Sequence, residues 1–388
     1  MKILELFSGY GTASFALKRL GIPYEIIGFS DIDKYANQCF FQNHWRNIKP
    51  LRFSNNPQRQ LGDVKLINPN DLEDFDLLTA GFPCQAFSNA GKMQGELDPR
   101  GSLFYEIIRI AEVKKPKYML LENVKGLTCK KFKDTFDKIL SELDRIGYHV
   151  HWKVLNSKDF GIPQSRARVW FVCFREQEDY DKFKFPEQEE LKIFIKDILE
   201  SEVDKKYYLS PLLQERFAKY LEEKNRIVNL QPRQGKGIGG KGIISKNDGT
   251  TYCVDQTCGQ GIVSVQMANM NRGKIPYDPN NSEMGFQLNK EPISFTIKQA
   301  QHEFLVANCI KVGGLPTKPE HYYEKKHSNI AGVSGALRRL TPKECFRLMG
   351  FLNDEINLEG LSDTQRYKLA GNGQDVNMVT KIFERMFK

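Results

Sequence analysis

A cysteine directly behind a proline, in Gly81-Phe82-Pro83-Cys84-Gln85-Ala86-Phe87-Ser88, is the group in this chain best placed to act as a nucleophile. The run follows Phe75-Asp76-Leu77-Leu78-Thr79-Ala80, an apolar stretch that reads as a buried strand, so the thiol stands at a strand's carboxyl end, where open α/β sheets bind ligands. Most free cysteines are small buried hydrophobes, and Cys84 departs from that only through the company it keeps. Glu122, in Glu122-Asn123-Val124 after the apolar Lys117-Tyr118-Met119-Leu120-Leu121, can donate a proton beside a cleft or merely cap or salt-bridge locally. Arg166 and Arg168 alternate in Gly161-Ile162-Pro163-Gln164-Ser165-Arg166-Ala167-Arg168, at the mouth of the strand Val169 to Phe174. This spacing sets two guanidinium groups on one side, or else marks a solvated strand edge.

Such groups need a scaffold, and the first residues supply its pattern. Lys2-Ile3-Leu4-Glu5-Leu6-Phe7 reads as a strand, Ser8-Gly9-Tyr10-Gly11-Thr12 as a turn, and Ala13, Ala16, Leu17 and Leu20 as one face of a helix that ends at Gly21. Strand, glycine turn and helix form a nucleotide-cofactor opening, although Ser14 stands where a dinucleotide motif has its third glycine. A second apolar run, Tyr24 to Phe29, ends in Ser30-Asp31-Ile32-Asp33. There Asp31 can accept from ribose hydroxyls or cap the helix starting at Lys34. Gly62-Asp63-Val64 is a third such loop and carries almost no information alone. Phe132, Phe136, Ile139, Leu140, Leu143 and Ile146 mark an amphipathic helix before the arginine segment.

In order and spacing, Phe7-Ser8-Gly9-Tyr10-Gly11, Pro83-Cys84-Gln85, Glu122-Asn123-Val124, Gln164-Ser165-Arg166-Ala167-Arg168, Arg338-Arg339-Leu340-Thr341-Pro342-Lys343-Glu344-Cys345 and Gly371-Asn372 resemble the motif series of the cytosine-5 DNA methyltransferases. The match spans nearly the whole chain and weakens between about 187 and 335, where that family carries its variable recognition region.

The resemblance implies a covalent mechanism. Carbon 5 of cytosine is a poor nucleophile until a thiolate adds at carbon 6, and a free thiol is only a few per cent ionised at neutral pH, so Cys84 needs local help. Glu122 is implied to hold the exocyclic amine and protonate the ring nitrogen, Arg168 to contact the base carbonyl, and Arg166 to support the site. The implied cofactor is S-adenosylmethionine, leaving as S-adenosylhomocysteine. Phe7 is implied to pack on its adenine, Gly9 and Gly11 to shape its loop, Asp31 to bind the ribose, Ile32 and Asp63 to contact the adenine, and Asn372 to complete the pocket. Two departures stand out. Thr12 occupies a common glycine position, and Gly373-Gln374-Asp375 replaces the usual small residue followed by valine, which bears on the cofactor contacts of that loop.

The resemblance further implies an α/β fold: a Rossmann-like methyltransferase domain with a mixed, mostly parallel sheet over 1–186 and 359–388. A smaller irregular or β-rich target-recognition domain with a hinge is expected over 187–358. Within it, Gln231 to Gly242 is rich in glycine and cations, so Arg233, Lys236 and Lys241 are expected to reach phosphates or base edges. The bland alternative is a flexible linker. Pro292 to Gln299 resembles the family's threonine-containing recognition motif, which makes Thr296 a DNA contact, and Gln85 and Ser88 are implied DNA contacts beside the nucleophile.

Composition agrees with this picture. The 388 residues carry 57 Lys and Arg against 48 Asp and Glu, a net charge of +9 with the sign expected for a polyanionic partner. Eight cysteines without a C-x-x-C pair and six histidines without metal spacing predict reduced thiols and no metal. No apolar run approaches a membrane span and no secretory leader is evident, so the expected location is the cytoplasm of a prokaryote or phage host.

The leading reading is a site-specific DNA cytosine-5 methyltransferase of a restriction-modification system or phage. It is expected to act as a monomer on double-stranded DNA, with a cognate endonuclease as a further partner. A tRNA-acting branch shares the Pro-Cys-Gln and Glu-Asn-Val motifs, but the cationic glycine-rich insert and the Gly-Phe-Pro lead-in favour DNA. A catalytically silent DNA-binding regulator is the third reading, and the presence of Cys84, Glu122 and Arg168 argues against it.

Overall fold

In the computed structural model of the chain the described residues are 1–48, 59–83, 102–193, 195–208, 258–263, 266–271, 287–288, 294–295, 305–307 and 337–388; between 258 and 339 only backbone strands are described. Two compact units result. The first comprises Met1–Ile162, Arg166–Leu191 and Met349–Lys388, and the second Pro163–Ser165 with Lys192–Leu348. The first unit thus extends past 186 and resumes at Met349, where the sequence placed the boundaries at 186 and 359. Physical ties explain both: Glu189 N–H donates to the Asp159 carbonyl (3.0 Å) and pairs with Lys381, while the buried Phe351 ring packs edge-on against Tyr10 and Phe15.

The first unit is built on a six-stranded sheet. Its strands are β1 (Lys2–Leu6), β2 (Glu25–Ser30), β3 (Leu77–Gly81), β4 (Tyr118–Val124), β5 (His149–Asn156) and, after the two-residue β6 (Gln164–Ser165) that belongs to another sheet, β7 (Ala167–Phe174), in spatial order β2-β1-β3-β4-β7-β5. β2, β1, β3 and β4 pair in parallel, and β7 runs antiparallel to both β4 and β5. The order reverses at β1, whose neighbours are β2 on one side and β3 on the other. The chain leaves β1 toward β2 and leaves β3 toward β4, in opposite directions, which opens a crevice at the carboxyl ends of β1 and β3.

Period-2 alternation divides the buried side chains between two faces. Leu4, Leu6, Leu78, Ala80, Met119, Leu121, Val169 and Phe171 join one cluster with Ile107, Ile110, Ala111, Ile139 and Leu143 of the helices Ser102–Lys114 and Lys133–Arg145. Ile3, Ile26, Leu77, Leu120, Trp170 and Val172 join the other with Ala13, Ala16 and Leu17 of α1 (Thr12–Arg19) and Met378, Val379, Ile382 and Phe383 of the helix Val376–Phe387. Covering both faces is what a largely parallel sheet requires.

The second unit is β-rich among its described residues. Cys258–Val263, Gln266–Asn271, Gln287–Leu288, Leu305–Ala307 and Leu337–Arg339 form a five-stranded sheet, and Ser294–Phe295 pairs with Gln164–Ser165. The helix Pro342–Arg347 that follows is fixed by a capping box between Thr341 and Glu344. Among the described residues no helix is long and apolar enough to cross a membrane, and no group of His, Cys, Asp and Glu could hold a metal ion.

Candidate active site

The loop after β1 is made of left-handed backbone. Phe7, Gly9 and Gly11 have φ of 52°, 54° and 83°, and a non-glycine residue in that region costs about 1–3 kcal/mol, which Phe7 recovers by packing on the core. Gly11 is required twice over, because a Cβ there would also lie 2.4 Å from His44 Nε2. At Gly9, by contrast, nothing lies within 4 Å of where a Cβ would stand. Backbone bonds tie the loop down: Ser8 N–H to the Ser30 carbonyl (3.0 Å) and Gly11 N–H to the Ser8 carbonyl (2.8 Å). His44 is buried, which pushes its pKa down to about 4, so the neutral ring donates from Nε2 to the Tyr10 carbonyl at 3.0 Å.

Asp31 is bound to the same loop. Its Oδ2 accepts from Gly9 N–H (3.0 Å) and its Oδ1 from Asp33 N–H (2.9 Å), while burial pushes its pKa up. The helix Lys34–His44 is capped instead by Asp33, which accepts from Tyr35 N–H and pairs with Lys368 at 2.6 Å. Of the two roles open to Asp31 in the sequence, capping therefore falls to its neighbour. Ile32 projects into solvent, 83% exposed. Asp63 caps a single turn, Val64–Leu66, and its loop is joined to the end of β2 by the Ser30 hydroxyl donating to the Gly62 carbonyl at 2.7 Å. An adenosine-bearing donor fits this edge, because the open space beside Gly9, the carboxylate of Asp31 and the uncovered apolar side chain of Ile32 occupy adjoining strand ends.

The other half of the site lies on β3, β4 and β7. Glu122 is inside β4, because β7 continues to pair with it as far as Val124 opposite Arg168. Glu122 is in register with Gly81 of β3, from which the chain runs through Phe82 and Pro83 toward Cys84. Arg168 Nε lies 3.0 Å from Glu122 Oε1 in an ion pair whose side chains are each 11% exposed, without the angles of a hydrogen bond. Asn123 Nδ2 donates to the Phe82 carbonyl at 3.3 Å, pinning the segment that enters Pro83. Arg166 stands apart from Arg168. It is buried and donates from Nη2 to the Gly373 carbonyl (2.7 Å), with Nη1 at 3.5 Å from the Gly371 carbonyl. Asn372, between those glycines, is exposed at the end of the helix Asp363–Asn372. Cys84, Gln85, Ser88, Arg233, Lys236, Lys241 and Thr296 lie outside the residues whose side chains are described.

Several supporting residues carry no signal in the sequence. The Tyr10 hydroxyl donates to the Gln374 carbonyl, and its ring occupies the place a Cβ on residue 373 would take. That contact is the physical reason for a glycine at 373, the first residue of the run that departs from the family pattern. Ser14, in place of a third glycine, donates from its backbone (3.2 Å) and hydroxyl to Glu5, whose burial raises its pKa to about 7. A polar residue inside a strand pattern, as Glu5 is, was the one available hint.

The sequence model of the C-5 cytosine-specific DNA methylase family matches residues 1–388. The type II methyltransferase M.HhaI of Haemophilus parahaemolyticus is 38% identical over 384 residues, covering 98% of this chain and 93% of that protein. The orphan methyltransferase M.SPRI of Bacillus phage SPR is 28% identical, covering 100% of this chain and 97% of that one. Among solved structures, the Entamoeba histolytica methyltransferase EhMeth superposes with a TM-score of 0.63 at 18% identity, covering 100% of this chain and 98% of that chain. The S. pombe Dnmt2 methyltransferase does so with 0.58 at 19% identity, covering 99% and 96%. These two share the S-adenosylmethionine-dependent methyltransferase fold. With its whole length matched, this chain belongs to the C-5 cytosine-specific DNA methylase family, enzymes whose methyl donor is S-adenosylmethionine.

Proposed function

We propose that this enzyme methylates a defined DNA sequence by extruding the target cytosine and adding the Cys84 thiolate to its carbon 6. The observation that carries this reading is the buried Glu122–Arg168 pair, in register with Gly81 at the head of the segment leading to Cys84. Sulfur attack breaks the 5,6 double bond and pushes its electrons toward the ring nitrogen. Glu122 supplies a proton there, so no net charge accumulates on the ring. Arg168 faces the base carbonyl while holding Glu122, and Arg166 keeps the Gly371–Gly373 turn in place. When bound, S-adenosylmethionine supplies an electrophilic methyl group on a sulfonium centre. Phe7, Asp31, Ile32, Asp63 and Asn372 are the residues that hold it. Loss of the carbon 5 proton to water then restores the double bond and expels the thiolate, and the ring nitrogen returns its proton to Glu122. Extrusion follows from depth: side chains this buried cannot meet a stacked base, and unstacking costs a few kcal/mol.

The second unit, with Arg233, Lys236, Lys241 and Thr296, is assigned to sequence recognition, and Gln85 and Ser88 to DNA contacts beside the flipped base. The likeness to type II and phage methyltransferases supports a restriction-modification or phage role. Duplex DNA carrying 5-fluorocytosine at the target tests the mechanism, since fluorine cannot leave as a proton does. A denaturant-stable adduct is expected with the parent protein and none with Cys84→Ala; an adduct in that variant rules out Cys84.

A further inference from the structure

The geometry points to Gln374 as a positioning residue that holds the second carboxylate oxygen of Glu122. Gly81 reveals the arrangement. A Cβ on that residue would lie 2.9 Å from Gln374 Nε2 and 3.5 Å from Glu122 Oε2, so the amide and the carboxylate converge on the space that glycine leaves. The Gln374 Nε2 atom is buried and has no hydrogen-bond partner among the described residues, and a buried donor left unpaired calls for a reason, of which a catalytic role is one. Arg168 occupies the Oε1 side of Glu122, which leaves Oε2, the oxygen that borders the same gap, for the amide.

The backbone of Gln374 is held on a rigid strut. Its own carbonyl accepts from the Tyr10 hydroxyl, the preceding carbonyl accepts from Arg166 Nη2 at 2.7 Å, and the next residue, Asp375, caps the helix Val376–Phe387. Only side-chain torsions of Gln374 and Glu122 then separate the two groups from a hydrogen bond, and these move between staggered wells without disturbing the backbone. With Arg168 on one oxygen and Gln374 on the other, the carboxyl plane is fixed toward the ring nitrogen of the base. Tyr10 and the Gly373-Gln374 departure are linked: the tyrosine ring needs the glycine, and its hydroxyl holds the glutamine backbone.

The inference rests on Glu122 acting at the base, as proposed above. Gln374→Met keeps length and volume while removing the donor. It is expected to lower kcat and the rate of 5-fluorocytosine adduct formation by about 10- to 100-fold, the scale of a misplaced catalytic group. The KM for DNA and the affinity for S-adenosylmethionine alone, measured by titration calorimetry, are expected to stay within about twofold, since uniform binding is untouched. Gly81→Ala, whose methyl group enters the same gap, is expected to reproduce the loss and to add little to it in the double variant. Weaker donor binding with unchanged kcat would make Gln374 a donor contact and overturn the assignment, as would a parental rate in either single variant. Failure of the parent protein to form the adduct overturns the Cys84 reading, and this inference with it; a normal parent with an unaffected Gln374→Met overturns this inference alone.

Discussion

The two halves of the site are built from different materials. In the proposed site the donor half, at the ends of β1 and β2, is shaped by backbone: left-handed Phe7, Gly9 and Gly11, a carboxylate spent on amide hydrogens, and a buried histidine beneath the loop. The base half, on β3, β4 and β7, is shaped by side-chain charge, with Glu122 and Arg168 paired across adjacent antiparallel strands. A pocket made of backbone tolerates few changes of shape beneath it, whereas one made of an ion pair tolerates few changes of charge. The halves should therefore fail separately.

Glu122→Gln gives the largest separation. It keeps the shape of the side chain and removes the proton carrier, so the rate of methyl transfer should fall by roughly 10² to 10⁴ in single-turnover assays while donor affinity holds. Equal losses in both would erase the distinction. Glu5 probes the donor half through pH. Its carboxyl has a pKa of about 7 when folded against 4.5 as an ordinary side chain, so the native state holds more protons between those values. The stability contributed by protonated Glu5 is full below about pH 4.5 and is lost as pH rises to about 7, a loss on the order of 3 kcal/mol. Glu5→Gln should flatten that slope in denaturant melts. An unchanged slope would assign it to other groups.

Gly11→Ala meets both the left-handed φ and the His44 ring, and should cost about 1–3 kcal/mol in stability with weaker donor binding and an intact rate at saturating donor. A lower saturated rate would mean that the loop reaches the base half as well. Arg233→Ala has the smallest expected effect. It should touch neither half but reduce the salt slope of DNA binding by about one, or relax discrimination at one base pair by about 1–3 kcal/mol. Parental behaviour in both tests would leave that run a linker.

The sequence made the strands and the chemical residues legible, because alternation, glycine turns and polar residues at strand ends are local signals. β1, β2, β3 and β7 fall within a residue or two of their apolar runs. Glu122 was expected just beyond a strand and lies within one, since the pairing that extends β4 comes from β7, remote in sequence. The roles of His44, Tyr10 and Gly373 were illegible for the same reason. A histidine under a carbonyl and a glycine under a tyrosine ring are defined only by partners that folding brings close. Asn123, conspicuous within Glu122-Asn123-Val124, gave no hint that its side chain grips the Phe82 carbonyl.

The bond from the Tyr10 hydroxyl to the Gln374 carbonyl spans 364 positions, which at ribosomal rates of about 5–20 residues per second corresponds to roughly 20 to 70 seconds of synthesis. Throughout that interval the loop proposed to receive the methyl donor lacks the segment its tyrosine bonds, including the Gly371–Gly373 turn that Arg166 grips. A nascent chain is thus expected to be a poor receiver of S-adenosylmethionine however early its first strands pair. On the proposed site, methyl transfer is then expected to wait on the segment that follows the second unit.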